Sequence, residues 1–413
     1  MGFQAGLSGL SAASQNLDVI GNNIANAATV GFKQSRTIFS DVFANSLGGS
    51  GSNTVGIGTQ VAEVQQQFTQ GAITATTNPL DFAINGKGFF RLSNSGVISY
   101  SRAGEFHLDN AGFVVSSEGY NLTGYGVDTN GTVVATAPNP IQLQTSLLQP
   151  TATTEYRASL NVDSRDSVPA VATFNPTDPG SYNNSTSGTV YDSLGNPHVF
   201  TQYFVKTATA GQWAMHGAVD GTAAANVDLG NGAGNPINVQ FNSSGALTTT
   251  MPLAGVTLIV ASGASTPLTF DLEMTGTTQY GANFGVNSLY QDGFASGRLS
   301  GFTTDADGTM IGHYTNGQNR NIGQIVLATF SNPNGLKPLG NNRWDESSVS
   351  GIPVVGEPGT GELGAVQSAA VEQSNVDLTA ELVNMITAQR MYQANAQTIK
   401  TQDSVLQTLV NLR

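Results

Sequence analysis

Four histidines, His107, His198, His216 and His313, are the only imidazoles in the chain, and cysteine is absent. Without Cys there are no disulfides, thiolate metal sites, iron–sulfur clusters or cysteine nucleophiles. The histidines stand singly, without the His-x-x-x-His spacing that sets two ligands on one helix face, so each reads as a strand or loop residue. No serine has glycine at both −2 and +2, the geometry a nucleophile elbow needs. Gly86-Lys87-Gly88 is the turn before a strand and lacks the remaining residues of a phosphate loop. Asp305-Ala306-Asp307-Gly308 begins like a calcium loop, but it has no Gly at the sixth position and no acid at the twelfth, which leaves a hairpin turn. Carboxylates pair locally only within turns. Pairs assembled by folding alone stay open, but no pattern here asks for a catalytic residue, a metal or a cofactor.

Composition narrows the class further. The 413 residues carry 15 Lys+Arg against 28 Asp+Glu, a net charge of −13, and only 10% are charged, where a soluble protein has roughly a quarter. An acidic, charge-poor chain cannot neutralise a phosphate backbone, so nucleic acid is excluded as a partner. Residues 71–360 hold twenty acids and ten bases, which puts most of the charge in the middle. Met1–Ile20 contains no Lys or Arg and no continuous apolar run, so no cleavable secretory signal is expected. No run approaches the ~18 apolar residues of a membrane span, and membrane insertion is not expected.

The elements follow from where Gly and Pro fall. Pro is absent from residues 1–78, and both are absent from 365–413, so long helices are permitted only at the two ends. At the N-terminus Phe3, Leu7, Leu10, Ser14, Leu17, Gly21 and Ile24 keep the alternating four-three step of a coiled coil. Gly6, Gly9 and Gly21 weaken it by roughly 1 kcal/mol each relative to Ala. At the C-terminus Leu378, Leu382, Met385, Gln389, Tyr392, Ala396, Ile399, Asp403, Leu406 and Val410 keep the same step over a helix expected from Val376 to Leu412. Ser374, three residues before Asp377, resembles a capping box. Off the seam this helix carries Thr, Gln and Asn where a solvated coiled coil has Glu and Lys. Neutral amides suit a helix with protein on most sides, so the two seams are expected to pair within one chain and between copies.

The middle reads as β structure. Turn signals recur at Asp109–Gly112, Asp128–Gly131, Asp192–Gly195 and Asp305–Gly308, with apolar runs such as His198–Val205 and Ile325–Phe330 between them. The expected fold is mainly β with terminal α-helices: 1–33 and 365–413 pair as a coiled coil, and two sandwich- or barrel-like β domains follow outward. The inner domain is discontinuous, 71–145 and 284–364, and the outer one, 146–283, is inserted in it. Residues 34–70 form a linker, with a polar stretch at Leu47–Thr54.

Specific motifs lie at both ends. Ser8-Gly9-Leu10, Asn22-Asn23-Ile24-Ala25-Asn26 and Gly31-Phe32-Lys33 resemble the N-terminal signature of bacterial flagellar rod and hook proteins. Ser374-Asn375-Val376-Asp377-Leu378, running on to Gln389–Asn395, resembles their C-terminal signature. Asp81–Phe90 and Ser101–Phe106 are similar to both branches of that family. Tyr191–His198, Gln291–Gly301 and Tyr314–Leu336 resemble the hook branch. The resemblance implies an extracellular structural subunit that is exported through the flagellar type III apparatus and polymerises with itself into a curved tube. It also implies distal rod, hook cap and hook–filament junction proteins as neighbours, and no catalysis. A straight distal-rod protein is the nearer alternative; an extracellular enzyme or adhesin with helical ends is the more distant one.

Overall fold

The computed structural model describes residues 2–42, 56–128, 131–143, 147–221 and 224–411. The polar stretch Leu47–Thr54 lies outside the described residues. Two long helices form at the ends, α1 (Gly2–Ala25) and α2 (Leu378–Asn411), and nearly everything else is strand or turn. Breaker content decides this. α2 has neither Gly nor Pro, and Asp377 caps it by accepting from the Thr379 and Ala380 amides through Oδ1. Ser374 lies outside that cap, and its Oγ accepts from the Val376 amide.

The chain divides into two compact units. The first comprises Met1–Thr145, Gly301–His313 and Asn319–Arg413. Its main sheet runs, edge to edge, through Leu299–Thr304, Thr309–Tyr314, Asn319–Ile325, Asn121–Val127, Phe89–Asn94, Val97–Ser101, Arg343–Asp345 and Lys337–Gly340. The face built on Phe82, Ile84, Phe90, Leu92, Phe106, Leu122 and Leu327 is fully buried. A second cluster joins Phe89, Tyr100, Phe330 and Trp344, with Phe68 edge-on to both Phe89 and Trp344. Much of the segment expected as a linker is a β-hairpin. Its strands β1 (Ser35–Val42) and β2 (Gly58–Gln66) pair antiparallel from Ser35↔Gln66 to Val42↔Gly58. The Trp344 indole N–H donates to Gln66 Oε1 at 2.6 Å, and with Phe68 this fastens the base of the hairpin to the sheet.

The second unit comprises Ser146–Ser300 and Tyr314–Gln318. A five-stranded and a four-stranded sheet share one core around Tyr156, Phe200, Phe204, Trp213, Phe270 and Leu272. The unit extends beyond residue 283, the expected end of the inserted domain, because strand Gly285–Gln291 pairs antiparallel with Glu155–Asn161.

The Asp-x-x-Gly turns form as local chemistry predicts. Asp109 Oδ1 accepts from the Ala111 and Phe113 amides, and Asp192 Oδ1 accepts from the Leu194 and Asn196 amides. At Asp305–Gly308 the turn closes through Gly308 N–H to Asp305 O and Asp305 N–H to Thr309 O.

Asp192 has a further role. Its Oδ2 lies 3.2 Å from His198 Nε2 and accepts from Ser262, and His198 Nδ1 lies 2.7 Å from Asp220 Oδ2. Burial alone would lower the His198 pKa, but the two carboxylates outweigh it and raise it above 6.5. A raised folded-state pKa stabilises fully below the unfolded value and less as pH climbs through the folded one. The second unit should therefore melt at a lower temperature as pH is raised from about 6 through the alkaline side of His198's titration. His198→Gln should flatten that dependence, and an unchanged slope would remove His198 as its cause.

Candidate functional site: the anchor of the two chain ends

Three sequence-distant segments of the first unit converge on one buried carboxylate, Glu372. Lys33 Nζ sits 2.7 Å from its Oε1, and Arg102 Nη1 sits 3.1 Å from its Oε2. All three side chains are essentially inaccessible to solvent. The Gly71 amide also donates to Oε1 at 2.8 Å. Lys33 donates further to the Thr69 carbonyl, and Arg102 donates to the Gly86 carbonyl while lying over the Phe89 ring. Burial pulls the pKa of both Lys33 and Arg102 down, and Glu372 pulls each back up. The cluster holds two cations and one anion, and among the described residues Lys33 and Arg102 share the Glu372 carboxylate as their ion-pair partner. In a chain with 10% charged residues, three charges kept in a core mark a position where segments must meet in one register.

The terminal motifs surround this cluster. Gly31 has φ of +70°, and a Cβ there would lie 2.4 Å from the Ala103 amide nitrogen, so only glycine fits. Its own amide donates to the Glu372 carbonyl, and Phe32 is buried beside it. Asn23, also buried, donates to the Ser35 carbonyl and to Glu381 Oε2, and accepts from the Ser35 amide. Asn22 and Asn26 cap the end of α1: Asn26 donates from both its backbone and its side chain to the Asn22 carbonyl, and Ala25 ends the helix. Asn375 accepts from the Gln34 amide and donates to the Gln67 carbonyl and to Thr69. Ser374, Asn375 and Val376 form the half-buried lead into α2, before Asp377 and Leu378. The N-terminal motif, the Ser101–Phe106 motif and the C-terminal motif are thus parts of one polar clamp.

Above the clamp the helices run antiparallel. Asn23 meets Glu381, and a Cβ at Gly9 would touch Asn395 and one at Gly6 would touch Ile399. The covered strip of α1 is Gly6, Gly9, Ala13, Asn16, Ile20 and Asn23; that of α2 is Glu381, Met385, Ala388, Asn395, Ile399 and Gln402. Both keep the heptad step, but they lie one residue to the side of the apolar stripes. On α1, Phe3 and Leu7 are exposed and Leu10, Leu17 and Ile24 half-buried. On α2, Met385 and Ile399 join the helix pair and Ala396 is half-buried. Leu378, Leu382, Tyr392, Leu406 and Val410 are exposed, Leu382 at 46% and Val410 at 74%. The offset has a steric cause: Gly and Ala let the two backbones close up, while the bulky stripe beside them would hold them apart. Each chain therefore leaves bulky apolar side chains exposed on both helices, Phe3 and Leu7 on α1 and Leu378, Leu382, Tyr392, Leu406 and Val410 on α2.

The residues of the ionic cluster are not distinguishable by type or spacing in sequence. The available signal was scarcity: Lys33 is the first base of the chain, and Glu372 is the last acid before the α2 cap at Asp377.

The paired terminal helices and the β body between them match models of the flagellar axial proteins. Residues 3–33 match "Flagella basal body rod protein", 83–164 "Flagellar hook protein FlgE/F/G D1 domain", 161–294 "Flagellar basal body protein FlaE D2 domain" and 367–412 "Flagellar basal body rod FlgEFG protein C-terminal". The flagellar hook protein FlgE of Salmonella typhimurium is 42% identical over all of both chains. That of Escherichia coli K12 is also 42% identical over all of both, and that of Borreliella burgdorferi is 32% identical over 99% of this chain and 98% of its own. The crystal structure of Helicobacter pylori flagellar hook protein FlgE2 matches the fold at a TM-score of 0.50 and 16% identity, covering 73% of this chain and 99% of that one. The chain belongs to the family of bacterial flagellar hook proteins.

Proposed function

We propose that many copies of this chain polymerise through their terminal helices into the curved, flexible tube of the hook, which acts as a universal joint between motor and filament. The observation that carries this reading is the bulky apolar stripe left unpaired on α1 and α2, beside a strip already used within the chain. Folding alone does not explain a row of exposed Phe and Leu; burial between copies does. The helices form the inner wall, and the assembly seam is Phe3, Leu7, Leu10, Leu17, Ile24, Leu378, Leu382, Met385, Tyr392, Ala396, Ile399, Leu406 and Val410. The clamp of Asn23, Lys33, Arg102, Glu372 and Asn375 passes force from that wall to the β body. Low charge favours many weak, wet contacts between neighbours over fixed ion pairs, as bending requires.

The same reading has the chain exported without a cleavable signal through the flagellar type III apparatus and added beneath a cap, between distal rod and hook–filament junction proteins. Electron microscopy of polymer grown from purified chain tests the first claim. Curved tubes are expected; straight, stiff rods would turn the reading toward a rod protein, and a chain that stays monomeric at high concentration would end it.

A further inference from the structure

Because the second unit comprises Ser146–Ser300 and Tyr314–Gln318, the chain passes into and out of it twice. These passages are not free tethers, since hydrogen bonds inside the second unit join them. Leu148 pairs with Gly297 and Thr151 with Phe294, each pair through two backbone hydrogen bonds of 2.8–3.3 Å. The returning tip is fastened to the same strand. The Thr315 amide donates to the Arg298 carbonyl at 2.9 Å, the Arg298 amide donates to Thr315 Oγ1 at 3.0 Å, and Asn316 Nδ2 donates to the Ala295 carbonyl at 2.7 Å. Asp292 closes the inner end of this neck, its Oδ1 accepting from the Thr154 and Glu155 amides.

A fourth segment locks the neck from the side. In the Asp192–Gly195 turn, Gly195 has φ of +81°, and a Cβ there would lie 2.6 Å from Pro150 Cβ and 3.2 Å from Ala295 Cα. Buried Thr153 ties in the strand before that turn. It gives its amide to the Tyr191 carbonyl, accepts the Tyr191 amide on Oγ1 and donates from Oγ1 to Gln291 Oε1. Three of the four segments lie in the stretches that resemble the hook branch, Tyr191–His198, Gln291–Gly301 and Tyr314–Leu336. The assembly seam on the helices uses none of them.

We propose that this neck is the joint that holds the second unit in the assembled hook, and that its closure sets the curvature of the tube, with Gly195, Asp292 and Asn316 as its positioning residues. This rests on the polymer reading above. A unit on single, unpaired tethers swings freely, and copies with swinging units cannot hold one curvature. Bonded passages give every copy the same presentation of that unit.

Gly195→Val should wedge the neck open without touching the core around Phe200 and Trp213. In the full-length monomer, hydrogen exchange at the Leu148, Thr151, Phe294 and Gly297 amides should rise roughly tenfold or more, while strand Pro197–Lys206 keeps wild-type protection. Unchanged protection at the neck overturns the proposal. Polymer of this variant should form at the wild-type critical concentration but without uniform curvature. The Cys-free chain allows a rescue. Thr151 and Phe294 form a hydrogen-bonded antiparallel pair, whose Cα atoms stand about 5.5 Å apart, within disulfide range. Thr151→Cys and Phe294→Cys, added to Gly195→Val, should restore wild-type curvature when oxidised and lose it again when reduced. Wild-type curvature from Gly195→Val alone, or no rescue by the disulfide, overturns the proposal. If Gly195→Val does not fold, Asp292→Ala opens the neck by removing an acceptor, Asp292→Asn should behave as wild type because it keeps Oδ1, and the same readouts decide. If wild-type chain forms no polymer, the functional reading fails, and the exchange measurement still tests the neck.

Discussion

Glu372→Ala should release both chain ends from the β body, at a cost of about 3–5 kcal/mol in the stability of the first unit. The substitution leaves Lys33 and Arg102 buried without the carboxylate they share and strips the Gly71 amide of its acceptor. Removing one partner of a buried ion pair is far costlier than removing the whole pair, because the remaining charge has neither water nor partner. The companion variant follows from the same logic. Lys33→Met, Arg102→Met and Glu372→Met together take out every charge while keeping apolar volume, and should recover most of the loss. Denaturant unfolding of the three chains measures both effects. If Glu372→Ala costs less than about 1 kcal/mol, the cluster does not hold the termini.

Leu382→Asp and Leu406→Asp should abolish polymerisation and leave the fold intact. Both leucines are about half exposed in the single chain, so a charge there costs the monomer little, within the ~0.5 kcal/mol of ordinary surface changes. In the proposed polymer the same side chains would meet protein, and an unpaired carboxylate buried there would cost several kcal/mol per copy. A loss of about 3 kcal/mol per contact raises the critical concentration by roughly two orders of magnitude. Sedimentation of the polymer, with circular dichroism of the supernatant, separates assembly from folding. Normal polymers from either variant would remove these stripes from the assembly.

The helices and the β body were legible because their signals are local. Gly and Pro vanish after Gly364, and Asp-x-x-Gly turns punctuate the middle. The pairing face of the helices was not legible. Periodicity marks a stripe of bulky residues but cannot tell whether it meets the chain's own second helix or another copy. Here the intramolecular contact uses Gly6, Gly9 and Ala13 of α1, which a search for large apolar residues passes over. β1 and β2 were missed for a related reason. Neither strand has a buried face, so there is no strong alternation to read. Strand Gly285–Gln291 is likewise mostly exposed, which hid the true extent of the second unit. In the clamp, the motif residues Asn23, Gly31 and Asn375 stood out by resemblance, whereas Glu372 needed the fold, because its two cationic partners lie 270 and 339 residues away.

The central claim is that α1 and α2 are the surfaces on which copies join. Limited proteolysis of monomer and polymer, with cleavage sites mapped by mass, tests it most directly. Cuts within Phe3–Ile24 and Leu378–Val410 should be slow but measurable in the monomer, where the helices are paired yet keep exposed apolar side chains, and absent in the polymer, with the β body resistant in both. Equal cutting of the two helices before and after assembly would contradict it.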